Sequence, residues 1–230
     1  MTTGRVFDAY GRYYDLLYRD KDYAAETDYI CGLLTRHKIA GHALLEFGSG
    51  TGRHGRLLAE RGYRVTGIEQ SAEMAARAVA TEGFCCQEGD IRAVCLGRTF
   101  DAVLALFHVV SYQVSDESVR ALFDRAAEHL VQGGLFVFDV WYSPAVYAQR
   151  PEVRVKRMTD GAVEITRIAE PTMHPKENRV DVHYTIFVHD LATGACRTFA
   201  VGEDQARPRR GQAVDPTHQS VAVGVGAEAA

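Results

Sequence analysis

The residues best suited to chemistry fall in four short stretches, each at the end of an apolar run. Gly48-Ser-Gly-Thr-Gly52 follows Ala43–Phe47, a run that carries one acid, Glu46. Glu69, with Gln70 beside it, closes the run 64–68. Gly89-Asp90-Ile91 follows 84–87, and Leu106-Phe107-His108 ends and follows 100–106. Glycines let a backbone turn tightly and approach a ligand closely. A helix starting just after them offers unpaired N–H groups. Gly50-Thr-Gly52-Arg-His-Gly55 also spells the GxGxxG dinucleotide fingerprint. Glu46 argues against that use, because a carboxylate two residues before the loop repels a pyrophosphate and suits a cation. Glu69 is placed to accept hydrogen bonds from both hydroxyls of a ribose, a role a dehydrogenase would need as well. Asp90 is placed to accept from an adenine amino group.

These stretches need elements that bring them together. Tyr23, Thr27, Ile30 and Leu34 recur at helical spacing within 23–38, and further helical patterns cover 54–61, 71–79 and 116–130. Gly62 closes the first of these three, Ser71 caps the second, and Gly133-Gly134 stops the third. Residues 135–140 read as a fifth strand. Strand and helix thus alternate, which implies parallel strands joined by crossover helices. The expected fold is α/β: a doubly wound, mostly parallel, Rossmann-like sheet with helices on both faces. Ligands of such sheets bind at the carboxyl ends of the strands. After Pro144 the pattern changes. Segments 153–158, 163–168, 179–188 and 196–201 read as strands, with Asp160-Gly161 and Thr193-Gly194 as turns, so a small antiparallel β add-on is expected. Four regions result: an aromatic, helical segment (1–38) covering the active site, a ligand-binding core (39–143), the add-on as substrate or dimer region (144–203), and an atypical tail (204–230) expected to be disordered. Arg207, Arg209 and Arg210 could grip a phosphate, but a solvated tail is the simpler reading. Residues 219–225 could form one strand at most, leaving an exposed edge on the fifth strand.

Composition bounds the function classes. The chain has 230 residues, a formal net charge of −4, 47% hydrophobic and 24% charged residues. That is ordinary globular composition, with a core large enough to need no staple. There is no global basic surface for nucleic acid. Five cysteines, an odd count without CxxC spacing, form neither a disulfide framework nor a metal site. No signal-peptide run and no stretch of the ~20 apolar residues a membrane span needs is visible. A cytoplasmic protein with no membrane partner is expected.

In order and spacing, Leu44-Leu-Glu-Phe-Gly-Ser-Gly-Thr-Gly52, Glu69, Gly89-Asp90-Ile91 and Leu130-Val-Gln-Gly-Gly134 resemble the successive motifs of class I S-adenosylmethionine (SAM)-dependent methyltransferases across 43–141. Gln132 stands where that family usually has proline. The resemblance implies SAM as cofactor. Glu46, Gly48, Gly50 and Gly52 would hold its methionine end, Glu69 with Gln70 the ribose, and Asp90 with Ile91 the adenine. Leu106 and Phe107 would line the methyl-donor pocket. A narrower set of segments is similar to amino-sugar N,N-dimethyltransferases, which act on nucleotide-linked sugars. They are Tyr13-Tyr14-Asp15-Leu-Leu-Tyr18 with Lys21-Asp22-Tyr23, Asp139-Val-Trp141-Tyr-Ser-Pro144, and Asp181-Val-His183-Tyr-Thr185. That similarity stops at about Asp204.

No Asp/Asn-Pro-Pro-aromatic tetrad of DNA amino-methyltransferases follows the fourth strand, so a small-molecule acceptor is favoured over nucleic acid. Methyl transfer from a sulfonium needs chiefly proximity and alignment. An amine acceptor needs only its neutral form, whereas a hydroxyl needs a base. His108 is the candidate base, with a packing histidine as the alternative. Tyr14 could close over the methyl group. Tyr18, Trp141 and Tyr142 could wall the acceptor pocket, although Trp141 would serve equally as core. His183 reads as structural. Two other functions stay open at this point: a non-catalytic SAM-binding protein and an NAD(P)-dependent oxidoreductase. In either case the add-on sheet could make a homodimer.

Overall fold

The computed structural model describes residues 13–141, 143–206 and 220–225. Five parallel strands form the main sheet: β1 (Ala43–Phe47), β2 (Arg64–Glu69), β3 (Phe84–Glu88), β4 (Phe100–Ala105) and β5 (Leu130–Val140). Their order across the sheet is β5-β4-β1-β2-β3. The order reverses at β1, so the crevice between the ends of β1 and β4 is the switch point where such sheets bind ligands.

Helices α1 (Tyr23–Arg36), α2 (Arg53–Glu60), α3 (Ala72–Arg77) and α4 (Asp116–Glu128) connect or cover the strands. Asp22 Oδ1 accepts from Ala25 N–H and starts α1. Ser71 and Ser115 Oγ do the same for α3 and α4. Strand alternation then sorts the core into two layers. Leu44 points with Leu104 and Val137 toward Ile30, Leu34 and Leu58 of α1 and α2. Leu45 and Phe47 point with Val103 and Phe136 toward Leu122 and Ala126 of α4. The same alternation puts Glu46 on the α1–α2 side.

One helix ends earlier than the periodicity predicts. α4 stops at His129, and β5 begins at Leu130 rather than at 135. The His129 ring is buried, with Nδ1 donating to Arg125 O and Nε2 accepting from Leu96 N–H. The backbone therefore leaves the helix there, and Leu130 pairs with Phe100. The shift in register between Phe100 and Ala102 takes up the Gly133-Gly134 segment.

The second sheet is an antiparallel meander: β6 (Arg154–Thr159), β7 (Val163–His174), β8 (Arg179–Asp190) and β9 (Cys196–Ala206). Asp160 and Asp190 accept backbone N–H groups in their turns. Ile165, Ile186 and Val188 form its inner face and pack on Tyr13 and Leu17, so residues 13–17, which are helical, are held against this sheet. Helix α5 (Ser143–Gln149) links the two sheets.

The tail departs from its expectation of disorder at two places. β9 extends to Ala206, and β10 (Ser220–Val225) pairs antiparallel with β5, Ser220 opposite Val140 and Val225 opposite Leu135. The edge of β5 is therefore covered, because the Val-rich 220–225 segment satisfies its backbone groups. Arg207, Arg209 and Arg210 lie outside the described residues. Among the described residues no helix is long and apolar enough to cross a membrane, and all five cysteines are free thiols.

Candidate active site

The glycine loop leaves β1 and crosses the end of β2. Gly48 and Ser49 N–H both donate to Ile68 O, at 2.8 and 3.1 Å. Gly48 has φ +65°, and a Cβ there would fall 2.5 Å from Val109 Cγ2. Only glycine fits both the conformation and the space. Gly50 N–H donates to Glu69 Oε2 at 2.8 Å, and Ser71 N–H donates to Oε1 at 2.8 Å. These loop donors are committed to a carbonyl and a carboxylate, so the loop presents an acid rather than an anion nest. Each carboxylate oxygen has more than one lone pair, so Glu69 can also accept from a ligand's hydroxyls.

Glu46 lies beneath the loop and is buried. Burial first, and repulsion from Glu69 second, outweigh the pull of Arg56 and push its carboxyl up to about 8. Its Oε1 is 3.9 Å from His54 Nδ1, and His54 Nε2 is 2.8 Å from Glu26. Its Oε2 has no hydrogen-bond partner among the described residues. Gly55 makes room for it: a Cβ there would lie 2.9 Å from Oε2 and 2.3 Å from the Phe84 ring. A buried carboxylate oxygen lacking a donor suits a cationic or N–H-bearing ligand group.

Just past β4 come two consecutive left-handed residues, Phe107 (φ +63°) and His108 (φ +66°). Non-glycine residues held there cost about 1–3 kcal/mol each and need local support. Asp139, buried at the end of β5, supplies it by accepting His108 N–H at 3.0 Å. Its Oδ2 also lies 2.8 Å from His108 Nδ1, without hydrogen-bond alignment. Trp141 stands edge-on to the His108 ring, with centroids 5.9 Å apart, and the Trp141 backbone N–H donates to Ser111 Oγ at 3.4 Å. A 3-10 turn, Val109–Tyr112, follows.

Above this crevice the N-terminal segment supplies aromatic rings. Tyr14 and Tyr18 lie 4.6 Å apart, and Tyr18 is edge-on to Phe107 at 5.1 Å. Lys21 Nζ sits 4.6 Å from the Phe107 ring centroid. Thr51 Oγ1 donates to Asp15, tying this segment to the glycine loop.

The resulting cleft is lined by Tyr14, Gly48, Gly50, Glu69, Gln70, Ile91, Leu106 and Phe107 among the residues expected from sequence. Gly52, Glu46, His108, Tyr18 and Trp141 stand behind or beside that lining. Gly52 instead opens α2 with φ +76°, against Phe84. Asp90 faces Arg92, whose guanidinium and backbone N–H grip its carboxylate and hold it below the usual range. Tyr142 lies outside the described residues. Exposed His183 lies on the outer face of β8. Ser71, Met74, Val109, Tyr112 and Gln113 line the cleft without having been foreseen. Ser71 and Met74 were legible only as a cap and a helix face. The other three follow β4, and their place after a switch-point strand was the available signal.

Comparison with known proteins agrees with this geometry. Residues 44–134 match the Methyltransferase domain family. Over 176 residues the chain is 31% identical to dTDP-3-amino-3,4,6-trideoxy-alpha-D-glucopyranose N,N-dimethyltransferase of Streptomyces venezuelae, covering 75% of this chain and 74% of that one. The chain belongs to the class I SAM-dependent methyltransferase family, and its cofactor is SAM. SAM-bound CalS10, an amino pentose methyltransferase from Micromonospora echinaspora, superposes with TM-score 0.69 at 26% identity, over 84% of this chain and 80% of its own. Streptomyces venezuelae DesVI superposes with TM-score 0.78 at 25% identity, over 99% of each chain. These findings set the oxidoreductase alternative aside.

Proposed function

We propose that this chain transfers methyl groups from SAM to the amino nitrogen of a nucleotide-linked deoxy sugar. The supporting observation is Tyr14: the N-terminal segment, clamped to the second sheet by Tyr13 and Leu17, brings this ring into the wall of the cleft that Gly48 and Gly50 of the glycine loop also line. Glu69 would hold the ribose hydroxyls, the unpartnered Oε2 of Glu46 would answer the positive methionine end, and Ile91 would flank the adenine. When bound, SAM supplies a methyl group already activated by its sulfonium. Tyr14, Phe107 and Leu106 exclude water and align the acceptor lone pair with that methyl, which is most of what such a displacement needs. Asp139 Oδ2 stands 2.8 Å from Nδ1 of His108, so Nε2, turned away from that carboxylate, is the nitrogen that would take the proton released by the methylated amine. Trp141 fixes the imidazole plane. A homodimer would form along the edge strand β6, where Val153 and Val155 flank the edge and are exposed.

The test is incubation of the chain with SAM and a thymidine-diphosphate-linked amino sugar, followed by mass spectrometry. Products heavier by one and two methyl groups, with matching S-adenosylhomocysteine (SAH), are expected. SAH binding without product from 3-amino or 4-amino sugars would refute the acceptor assignment.

A further inference from the structure

We infer that Lys156 and Arg167 seat the diphosphate of the acceptor; this rests on the nucleotide-linked acceptor proposed above. The two residues are directly opposed in the β6–β7 ladder. Alternation puts them on the inner face of the sheet, the face that carries Met158 and Ile165. Like charges at directly opposed positions destabilise a sheet. An anion held between two opposed cations relieves that repulsion, as the Asp20 carboxylate does at Lys156.

Their surroundings lead back to the cleft. Lys156 Nζ lies 5.7 Å and the Arg167 guanidinium 5.4 Å from the Tyr18 ring centroid. Arg167 Nη1 donates to the Tyr18 hydroxyl at 2.9 Å, and Tyr184 backs the guanidinium at 5.1 Å. The guanidinium is thus oriented before any ligand arrives, which suits two-pronged phosphate recognition. Tyr18 in turn touches Tyr14 and Phe107, both in the cleft wall. The cations stand one aromatic ring beyond that wall. A sugar resting on Tyr14 and Phe107 would extend its anomeric phosphate toward them. Asp20 now bonds Lys156 at 2.8 Å and is itself largely exposed, so it holds the position that the diphosphate takes over.

The test is calorimetric titration of the full chain with thymidine diphosphate, in the absence of SAM and SAH, with thymidine as the uncharged control. Lys156→Gln and Arg167→Gln should each weaken thymidine diphosphate by roughly tenfold or more and leave SAH affinity unchanged. Asp20→Asn should tighten thymidine diphosphate, because it removes the competing carboxylate. Equal affinity of the wild type and both glutamine variants for the diphosphate would overturn the assignment. So would a wild-type chain that binds SAH yet shows no preference for thymidine diphosphate over thymidine. Should the glutamine variants not fold, Asp20→Asn decides alone, and unchanged or weaker diphosphate binding refutes the site. Failure of the wild type to bind SAH would instead strike the proposed function, and the separate titrations keep the two results apart.

Discussion

Glu46→Gln is the most informative single perturbation, because it removes a titratable group and keeps its shape. In the native chain the Glu46 carboxyl is pushed up to about 8 by burial and by Glu69. In the unfolded chain it returns to its ordinary value near 4.5. Between those two pH values the native state binds more protons than the unfolded state, so raising the pH favours unfolding. The stability contributed by the buried neutral acid is fully present below pH 4.5 and is lost as the pH climbs through 8. At about 1.4 kcal/mol per pH unit the full loss approaches ~5 kcal/mol. Glutamine cannot ionise, so the variant lacks this slope. The groups facing Glu46 are His54 and Arg56 on α2, Glu69 on β2 and Cys86 on β3, all retained in the variant. Urea unfolding of both chains from pH 4.5 to 8.5, with the slope m compared as well as the midpoint, reads the difference directly. The wild type should lose stability relative to Glu46→Gln as the pH rises, by up to a few kcal/mol at pH 8. Parallel profiles with equal m would refute the claim that Glu46 is a neutral buried acid. The same reasoning gives a binding result: a cationic methionine end beside Glu46 ionises it, so SAM binding near pH 7 should release a proton. That release appears as a binding enthalpy that depends on the buffer.

Three other perturbations probe different parts of the molecule. Gly48→Ala places a Cβ 2.5 Å from Val109 at φ +65°; a stability loss of about 1–3 kcal/mol and loss of measurable SAH binding are expected by urea titration and calorimetry, and unchanged SAH affinity would remove the loop from the cofactor site. His108→Ala should lower kcat for methyl transfer about a hundredfold with SAH affinity nearly unchanged, whereas an unchanged kcat would reduce His108 to a packing residue. Ile186→Ala empties a fully buried position behind Tyr13 and Leu17; a cost of about 2–5 kcal/mol and faster proteolytic cleavage within residues 13–21 should follow, and an unaltered cleavage rate would mean that the second sheet does not hold the N-terminal segment.

Much of the site could be read from the order of residue types along the chain. Glu46 is the next-to-last residue of β1, Gly48, Gly50, Glu69 and Ile91 end or follow a strand, and parallel strands of a doubly wound sheet all deliver their carboxyl ends to one edge. That topology needs only the alternation of apolar runs and helical periods, which is local information. Tyr14 was legible as well, but through the resemblance rather than through any period.

What lay beyond the sequence depended on contacts between distant segments. The partner of Asp90 is Arg92, and nothing in the spacing said that this side chain would fold back onto the carboxylate. The end of α4 at His129 was set by a ring bonded to Leu96, more than thirty residues away. The support of His108 by Asp139, the delivery of Tyr14 by packing on Ile165 and Ile186, and the opposed cations Lys156 and Arg167 exist only once β4, β5 and the second sheet are assembled. The sequence alone determined which residues stand at strand ends, because hydrophobic period and turn chemistry are local properties. Tertiary packing decided which way each side chain turns there and what charge it meets, because burial and Coulomb interactions act between residues that only the fold brings together.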